Sequence, residues 1–115
     1  MLVYDITNIK SFEKIKNYYV NELREKSKNI CKCILLGNKT DLEENRKVSQ
    51  EEGLALANEN QFVFMETSCV TNCNVSSAFE TLIEMTNTEM KKNNCQRLKT
   101  KNDYKGNNST CCLNI

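Results

Sequence analysis

The stretch "CILLGNKTDLEEN", residues 33–45, decides the fold. Four apolar residues run without polar alternation into Gly37, and an amide, an ammonium, a hydroxyl and a carboxylate follow at 38–41. An unbroken apolar run ended by glycine predicts a buried strand over 31–37, of the kind found in parallel sheets. Working outward, "MLVYD" (1–5) is strand-like. Residues 8–27 read as a helix, with Phe12, Ile15, Tyr19 and Leu23 on one stripe. "SQEE" (49–52) has the form of a capping box, and Leu54 and Leu56 with two alanines follow it into a helix. "QFVFME" (61–66) is aromatic and β-branched, hence a strand. From about Asn74, a last helix places Val75, Ala78, Phe79, Leu82, Ile83 and Met90 on one stripe. Strands alternating with helices predict an α/β layered domain on a parallel sheet, with right-handed crossovers and no internal repeat.

Composition narrows the classes. With 115 residues there is room for one domain and a modest core. The absence of histidine removes imidazole catalysis and histidine-ligated metal. A net charge of +1 argues neither for nor against nucleic acid as such, and no nucleic-acid partner is expected. No apolar run approaches a membrane span, and no secretory signal opens the chain. Seven cysteines in no evident framework suit a reducing compartment. Past Lys92 the apolar period stops. Residues 93–115 form, on this reading, a disordered basic tail, set apart from a folded region over 1–92.

Ligands of open parallel sheets sit at the carboxyl ends of the strands. Two loops there carry unusual chemistry, "NKTD" (38–41) and "TSCV" (67–70). Guanine presents two adjacent donors on one edge, its ring N–H and its exocyclic amine, and adenine lacks that pair. One carboxylate, as at Asp41, accepts both. Each buried group left unpaired costs about 1–3 kcal/mol, enough for one residue to choose the base. The Asn38 amide can bond the ring edge and brace a loop, the Lys39 stem can lie along the flat of the base, and backbone N–H groups of the second loop can reach the guanine carbonyl. Taken alone, Asn-Lys-x-Asp is explained equally well by a solvated turn. Its place directly after "ILLG", with a Thr-Ser loop one helix and one strand later, favours the base.

At these residues the chain resembles the second half of a Rab protein, of the Ras-like small GTPase superfamily. "LVYDIT" (2–7), "SF" (11–12), "LLGNKTDL" (35–42), "ETS" (66–68), "NVSSAFETL" (74–82) and the terminal cysteine pair fall in family order and spacing. The resemblance implies a P-loop GTPase-like fold lacking its N-terminal half, with residues 1–92 as the guanine-base part. It implies guanine contacts by Asn38, Lys39 and Asp41, a brace on Asp41 from Ser68, and a backbone N–H of Cys69 facing the guanine oxygen. The family reads Ser-Ala-Lys where this chain has Ser68, Cys69 and Val70. Cysteine is small enough for the same backbone contact, whereas Val70 lacks the stem that packs on the base, so weaker holding with unchanged base choice is expected.

The family's phosphate loop, switches and magnesium site are not found in this sequence. Its three glycines, at 37, 53 and 106, form no Gly-x-x-x-x-Gly-Lys-Ser/Thr run. GTP or GDP is therefore the expected ligand, touched here only at the base. Magnesium is implied by the family with no ligands present, and hydrolysis by these residues alone is not expected. A base-edge site by itself reaches about −4 kcal/mol, a Kd on the order of millimolar. In the family's sheet order the missing first strand would lie against "MLVYD", leaving an apolar edge. The expectation is either a truncated reading of a longer gene, with Met1 internal to a strand, or a degenerate relative.

Cys111 and Cys112 stand three residues from the end. Rab tails of this kind carry two geranylgeranyl groups, and two lipid chains with nearby lysines anchor stably where one does not. Lys91, Lys92, Arg97, Lys99, Lys101 and Lys105 would face an anionic leaflet. The resemblance thus implies a prenylated regulator of vesicle traffic on the cytoplasmic face of intracellular membranes, served by escort, exchange and effector proteins. Two rivals remain: a membrane-tethered interaction module that binds no nucleotide, and a soluble response-regulator-like domain. Cys31 and Cys33 read as core packing, Cys69 and Cys73 as an unpaired couple without thioredoxin context, and Cys95 as a bystander. Tyr18 is a candidate partner contact, and Tyr19 fits the core stripe.

Overall fold

The computed structural model describes residues 1–27 and 32–102. Strands β1 (Leu2–Asp5), β2 (Ile34–Asn38) and β3 (Val63–Thr67) pair in parallel in the order β1-β2-β3. The α/β parallel-sheet architecture expected from the alternation of elements is the one observed. The register sets Asp5 against Asn38 and Asn38 against Thr67, so the three carboxyl ends are level.

Side chains alternate across the sheet. Leu35 points to one face, where it is buried with Tyr4, Phe12, Ile15, Leu56 and Ala57, and Leu2 and Phe64 pack against the same cluster. Ile34 and Leu36 point to the other, meeting Ala78, Met65 and Leu82. Burial on both faces is why β2 has no polar alternation.

The first crossover begins at Asn8, whose side chain accepts the Lys10 N–H at 3.1 Å and caps α1 (Ile9–Lys14). A π-helical segment (Ile15–Tyr19) follows and leads into α2 (Val20–Ser27). The Val20 N–H reaches back five residues to the Ile15 carbonyl, a wider turn than the α-helical one. This corrects the expected stripe. The wider turn carries Tyr19 out to 39% exposure and brings Val20 into the core beside Phe12 and Ile15. Tyr19 instead meets Tyr18 edge-on, with ring centroids 5.2 Å apart.

The capping box at α3 (Gln50–Asn60) is formed in both directions. Ser49 Oγ accepts the Glu52 N–H at 3.1 Å, and the Ser49 N–H donates to Glu52 Oε2 at 2.8 Å. Leu56 and Ala57 enter the core, while Leu54 on the opposite side stays exposed. At Gly53, α3 lies close against the sheet. A Cβ there would lie 2.4 Å from the Tyr4 hydroxyl oxygen and 2.7 Å from the Phe64 ring.

Helix α4 (Val75–Asn102) covers the second face. It contains neither glycine nor proline, and its helical backbone runs past the boundary drawn at residue 92. Phe79 and Ile83, placed on its apolar stripe by spacing alone, remain 56% and 57% exposed, because Ala78 and Leu82 make the contacts with the sheet. Cys33 is buried just before β2. Cys31, the side chain of Cys95 and the terminal Cys111 and Cys112 lie outside the described residues. Among the described residues, no helix is long and apolar enough to cross a membrane.

Candidate functional site

The level carboxyl ends of the strands bring Asp5, Asn38 and Thr67 side by side, and the loops leaving β2 and β3 rise from there. Asn38 closes β2. Its side-chain oxygen accepts the Thr67 hydroxyl at 3.3 Å, and its backbone oxygen accepts the Ile6 N–H at 3.1 Å. The Cys69 thiol approaches the same Asn38 oxygen at 3.9 Å. Thr40 Oγ1 donates to the Thr67 carbonyl at 3.3 Å. Asn38 and its neighbours thus join the two loops.

Lys39 takes a left-handed conformation, φ 72° and ψ 39°, which costs a residue with a Cβ about 1–2 kcal/mol. That turn redirects the chain into a short 3-10 segment (Thr40–Asn45), opened by a 2.9 Å bond from the Leu42 N–H to the Lys39 carbonyl. It also sends the Lys39 side chain back over β1, where Nζ pairs with Asp5 Oδ2 at 2.7 Å. Asp5 Oδ1 meanwhile accepts both the N–H and the hydroxyl of Thr7, at 2.9 and 2.7 Å. Partial burial alone would raise the Asp5 carboxyl. The bonds from Lys39 and Thr7 outweigh it and hold the group below the usual carboxylate range. The bond to Asp5, with its negative charge, raises the Lys39 ammonium in turn.

Asp41 sits exposed on the 3-10 segment. Ser68, fully buried, donates its hydroxyl to Asp41 Oδ1 at 2.5 Å and accepts the Thr71 N–H at 3.2 Å. The second loop is itself closed by an antiparallel bridge between Ser68 and Cys73, with Ser68 N–H to Cys73 carbonyl at 3.1 Å. Asn74 Nδ2 ties the loop to the Glu66 carbonyl at 2.9 Å. Below it, Arg46 grips Glu66 through Nη1 and Nη2 at 2.7 and 3.1 Å and Glu43 through Nε and Nη2 at 2.8 and 2.7 Å. Those bonds raise the Arg46 guanidinium further and lower Glu43.

The structure therefore brings Asn38, Lys39, Asp41, Ser68 and Cys69 together at one end of the sheet. Val70, in the same loop, stands 81% exposed. A carboxylate steadied on one oxygen by a buried hydroxyl, and otherwise open to solvent, is a fixed acceptor for paired donors. Among the described residues no three carboxylate, thiol or imidazole groups come close enough together to hold a metal ion. A shallow depression of about 540 Å³ beside the 3-10 segment is lined by Thr7, Leu42, Glu44, Asn45, Arg46 and Lys47, none of them a candidate base contact. Asp5, Thr7 and Thr67 are the participants that sequence reasoning missed. All three lay within segments quoted for their resemblance, and the parallel register alone reveals what they touch.

A model of the Ras family matches residues 1–88. The chain is 41% identical over 104 residues to the GTP-binding protein ypt2 of Schizosaccharomyces pombe, a match covering 90% of this chain and 48% of that protein. It is 50% identical over 82 residues to the Ras-related protein Rab-8A of Bos taurus, covering 71% of this chain and 39% of the relative. The Ras-related protein Rab-8B of Homo sapiens matches at 45% over the same length. The chain thus spans less than half the length of these curated relatives. The chain belongs to the Ras family, and its relatives within that family are of the Rab type.

Proposed function

We propose that the cluster of Asn38, Lys39, Asp41, Ser68, Cys69 and Val70 recognises the guanine base of GTP or GDP, as part of a Rab-like small GTPase that regulates vesicle traffic from a membrane. The observation that carries this reading is the buried Ser68 hydroxyl holding Asp41 Oδ1 at 2.5 Å. A carboxylate fixed in this way meets the ring N–H and exocyclic amine of guanine without further ordering, and offers adenine nothing equivalent. The bond from Thr67 to Asn38 orients the amide beside it. The relative named a GTP-binding protein agrees with this assignment.

Phosphate contacts, magnesium ligation and hydrolysis would come from outside these residues, and this reading assigns magnesium no ligand here. The membrane role rests on Cys111 and Cys112 as paired lipid attachment sites behind a basic stretch. Guanine nucleotide, a cytoplasmic membrane leaflet and Rab-type escort, exchange and effector proteins are the corresponding partners.

The test is a nuclear magnetic resonance titration of the chain with guanosine and adenosine monophosphates. Guanosine monophosphate is expected to shift the amides of 38–41 and 68–70 saturably, with a Kd on the order of millimolar, and adenosine monophosphate to leave them in place. Equal responses to the two, or none to either, would remove the base-recognition reading and favour an interaction module that binds no nucleotide.

A further inference from the structure

Lys39 and Asp5 are 34 positions apart in sequence and meet only because β1 and β2 end at the same level. We infer that Asp5 is a positioning residue for base recognition: anchored by Thr7 and Ser11, it holds the Lys39 side chain across the mouth of the loop, where its methylene stem can flank a bound guanine. This inference rests on the base-recognition reading above and deepens it.

Three observations carry it. First, Asp5 is itself fixed. Its backbone N–H donates to Ser11 Oγ at 3.0 Å, and Ser11 Oγ donates in turn to the Asn8 carbonyl at 2.7 Å, so the cap of α1 and the end of β1 are one unit. Second, the two carboxylate oxygens divide their work. Oδ1 takes both Thr7 donors at 2.9 and 2.7 Å, which leaves Oδ2 facing the Lys39 ammonium at 2.7 Å. An acceptor whose orientation is already set imposes a direction on a long side chain that would otherwise sample many rotamers. Third, Lys39 starts from a left-handed backbone, which aims its Cα–Cβ bond differently from those of its neighbours on either side. A free lysine at that position would have no reason to cross toward β1. With Nζ tethered to Asp5, the apolar stem spans from the Lys39 backbone to the end of β1, and an ordered stem loses less freedom when a flat ring settles on it.

The residue types in "DITNIKS" (5–11) match this role one by one: a carboxylate, a hydroxyl with its own N–H two positions on, a capping amide, and a serine one turn into the helix. On this reading none of them is a base contact. Each acts through Lys39.

The test uses the full chain and the variants Asp5→Asn and Asp5→Glu. Without nucleotide, carbon relaxation at Lys39 Cε is expected to report a more ordered stem than at exposed Lys10. That excess should vanish in Asp5→Asn and return in part in Asp5→Glu. With guanosine monophosphate as probe, Asp5→Asn should weaken binding about three- to fivefold, the scale of one half-exposed ion pair, while in the nucleotide-free variant the amides of 68–70 resonate where they do in the nucleotide-free parent. A Lys39 stem as mobile as that of Lys10 in the parent chain would overturn the inference. So would Asp5→Asn binding the probe as tightly as the parent, and in that case base recognition itself would stand. A parent chain that orders Lys39 yet ignores guanosine monophosphate would refute the base reading and the positioning role together, a pattern distinct from the other two.

Discussion

The two faces of this sheet are built to different depths. On one, α1, α2 and α3 bury Tyr4, Leu35, Phe12, Ile15 and Leu56 in a continuous core. On the other, α4 meets Ile34 and Leu36 through Ala78 and Leu82, and Val3 on β1 stays 50% exposed beside it. The same short strands thus serve a finished core and a partly covered surface. The polar cluster sits at the strand ends, where the two faces meet. Its loops are joined by hydrogen bonds and a charged network and owe little to apolar packing. Rigidity at the candidate site is accordingly separable from the depth of either core.

Several substitutions would break or sharpen that contrast. The largest effect belongs to the deep face. Leu56→Ala should cost about 2–5 kcal/mol in urea unfolding, and Ile83→Ala on the open side of α4 should stay within about 0.5 kcal/mol. Equal costs would mean that the faces are not different in kind. Arg46→Ala comes next. It leaves the half-buried Glu66 without its cation and unties the loop from β3, for a loss of about 2–4 kcal/mol that Arg46→Lys should recover only in part. Gly53→Ala drives a methyl group into Tyr4 and Phe64, and about 1–3 kcal/mol is expected.

Smaller effects follow at the site and within the core. The Asp5 carboxyl is held low by Lys39 and Thr7, so its contribution is present above the unfolded pKa of about 3.9 and lost as pH falls through the lower folded value. Lys39, which also faces Asp41, is raised, so its share is present below about 10.4 and lost as pH rises through the folded value. The melting-temperature difference between the parent chain and Asp5→Asn should therefore be flat from about pH 5 to 9 and shrink as pH falls below the unfolded value of about 3.9. Growth of that difference in acid would contradict the pairing. Tyr4→Phe is a further small change, of opposite sign. The Tyr4 hydroxyl is buried, is pushed up to about 12 chiefly by that burial, and finds no hydrogen-bond partner among the described residues. Removing it relieves that unpaired buried oxygen and should stabilise the chain by about 1 kcal/mol in urea unfolding.

Much of this arrangement was legible in the residues. "CILLG" announced a strand buried on both sides, "SQEE" a capping box, and the alternation of periods a parallel sheet. Three features were not legible, each for a physical reason. The exposure of Tyr19 depends on one π-helical turn, and a fixed helical period assumes that no such turn exists. The exposure of Phe79 and Ile83 depends on how much sheet lies beneath α4, whereas a stripe records only which residues share a side. The Asp5 tether depends on strand register. Until Leu2 is known to lie against Leu35, nothing connects the carboxylate of "LVYD" to the ammonium of "NKTD".

The central claim is that the Asp41 carboxylate chooses the base, and Asp41→Asn tests it most directly. An amide replaces one acceptor oxygen by a donor, which suits xanthine, whose second carbonyl stands where guanine carries its amine. Titrated with guanosine and xanthosine monophosphates, the parent chain should shift its 38–41 amides only with the first, and Asp41→Asn should prefer the second. An Asp41→Asn chain that kept the parent's preference for guanosine would contradict the account.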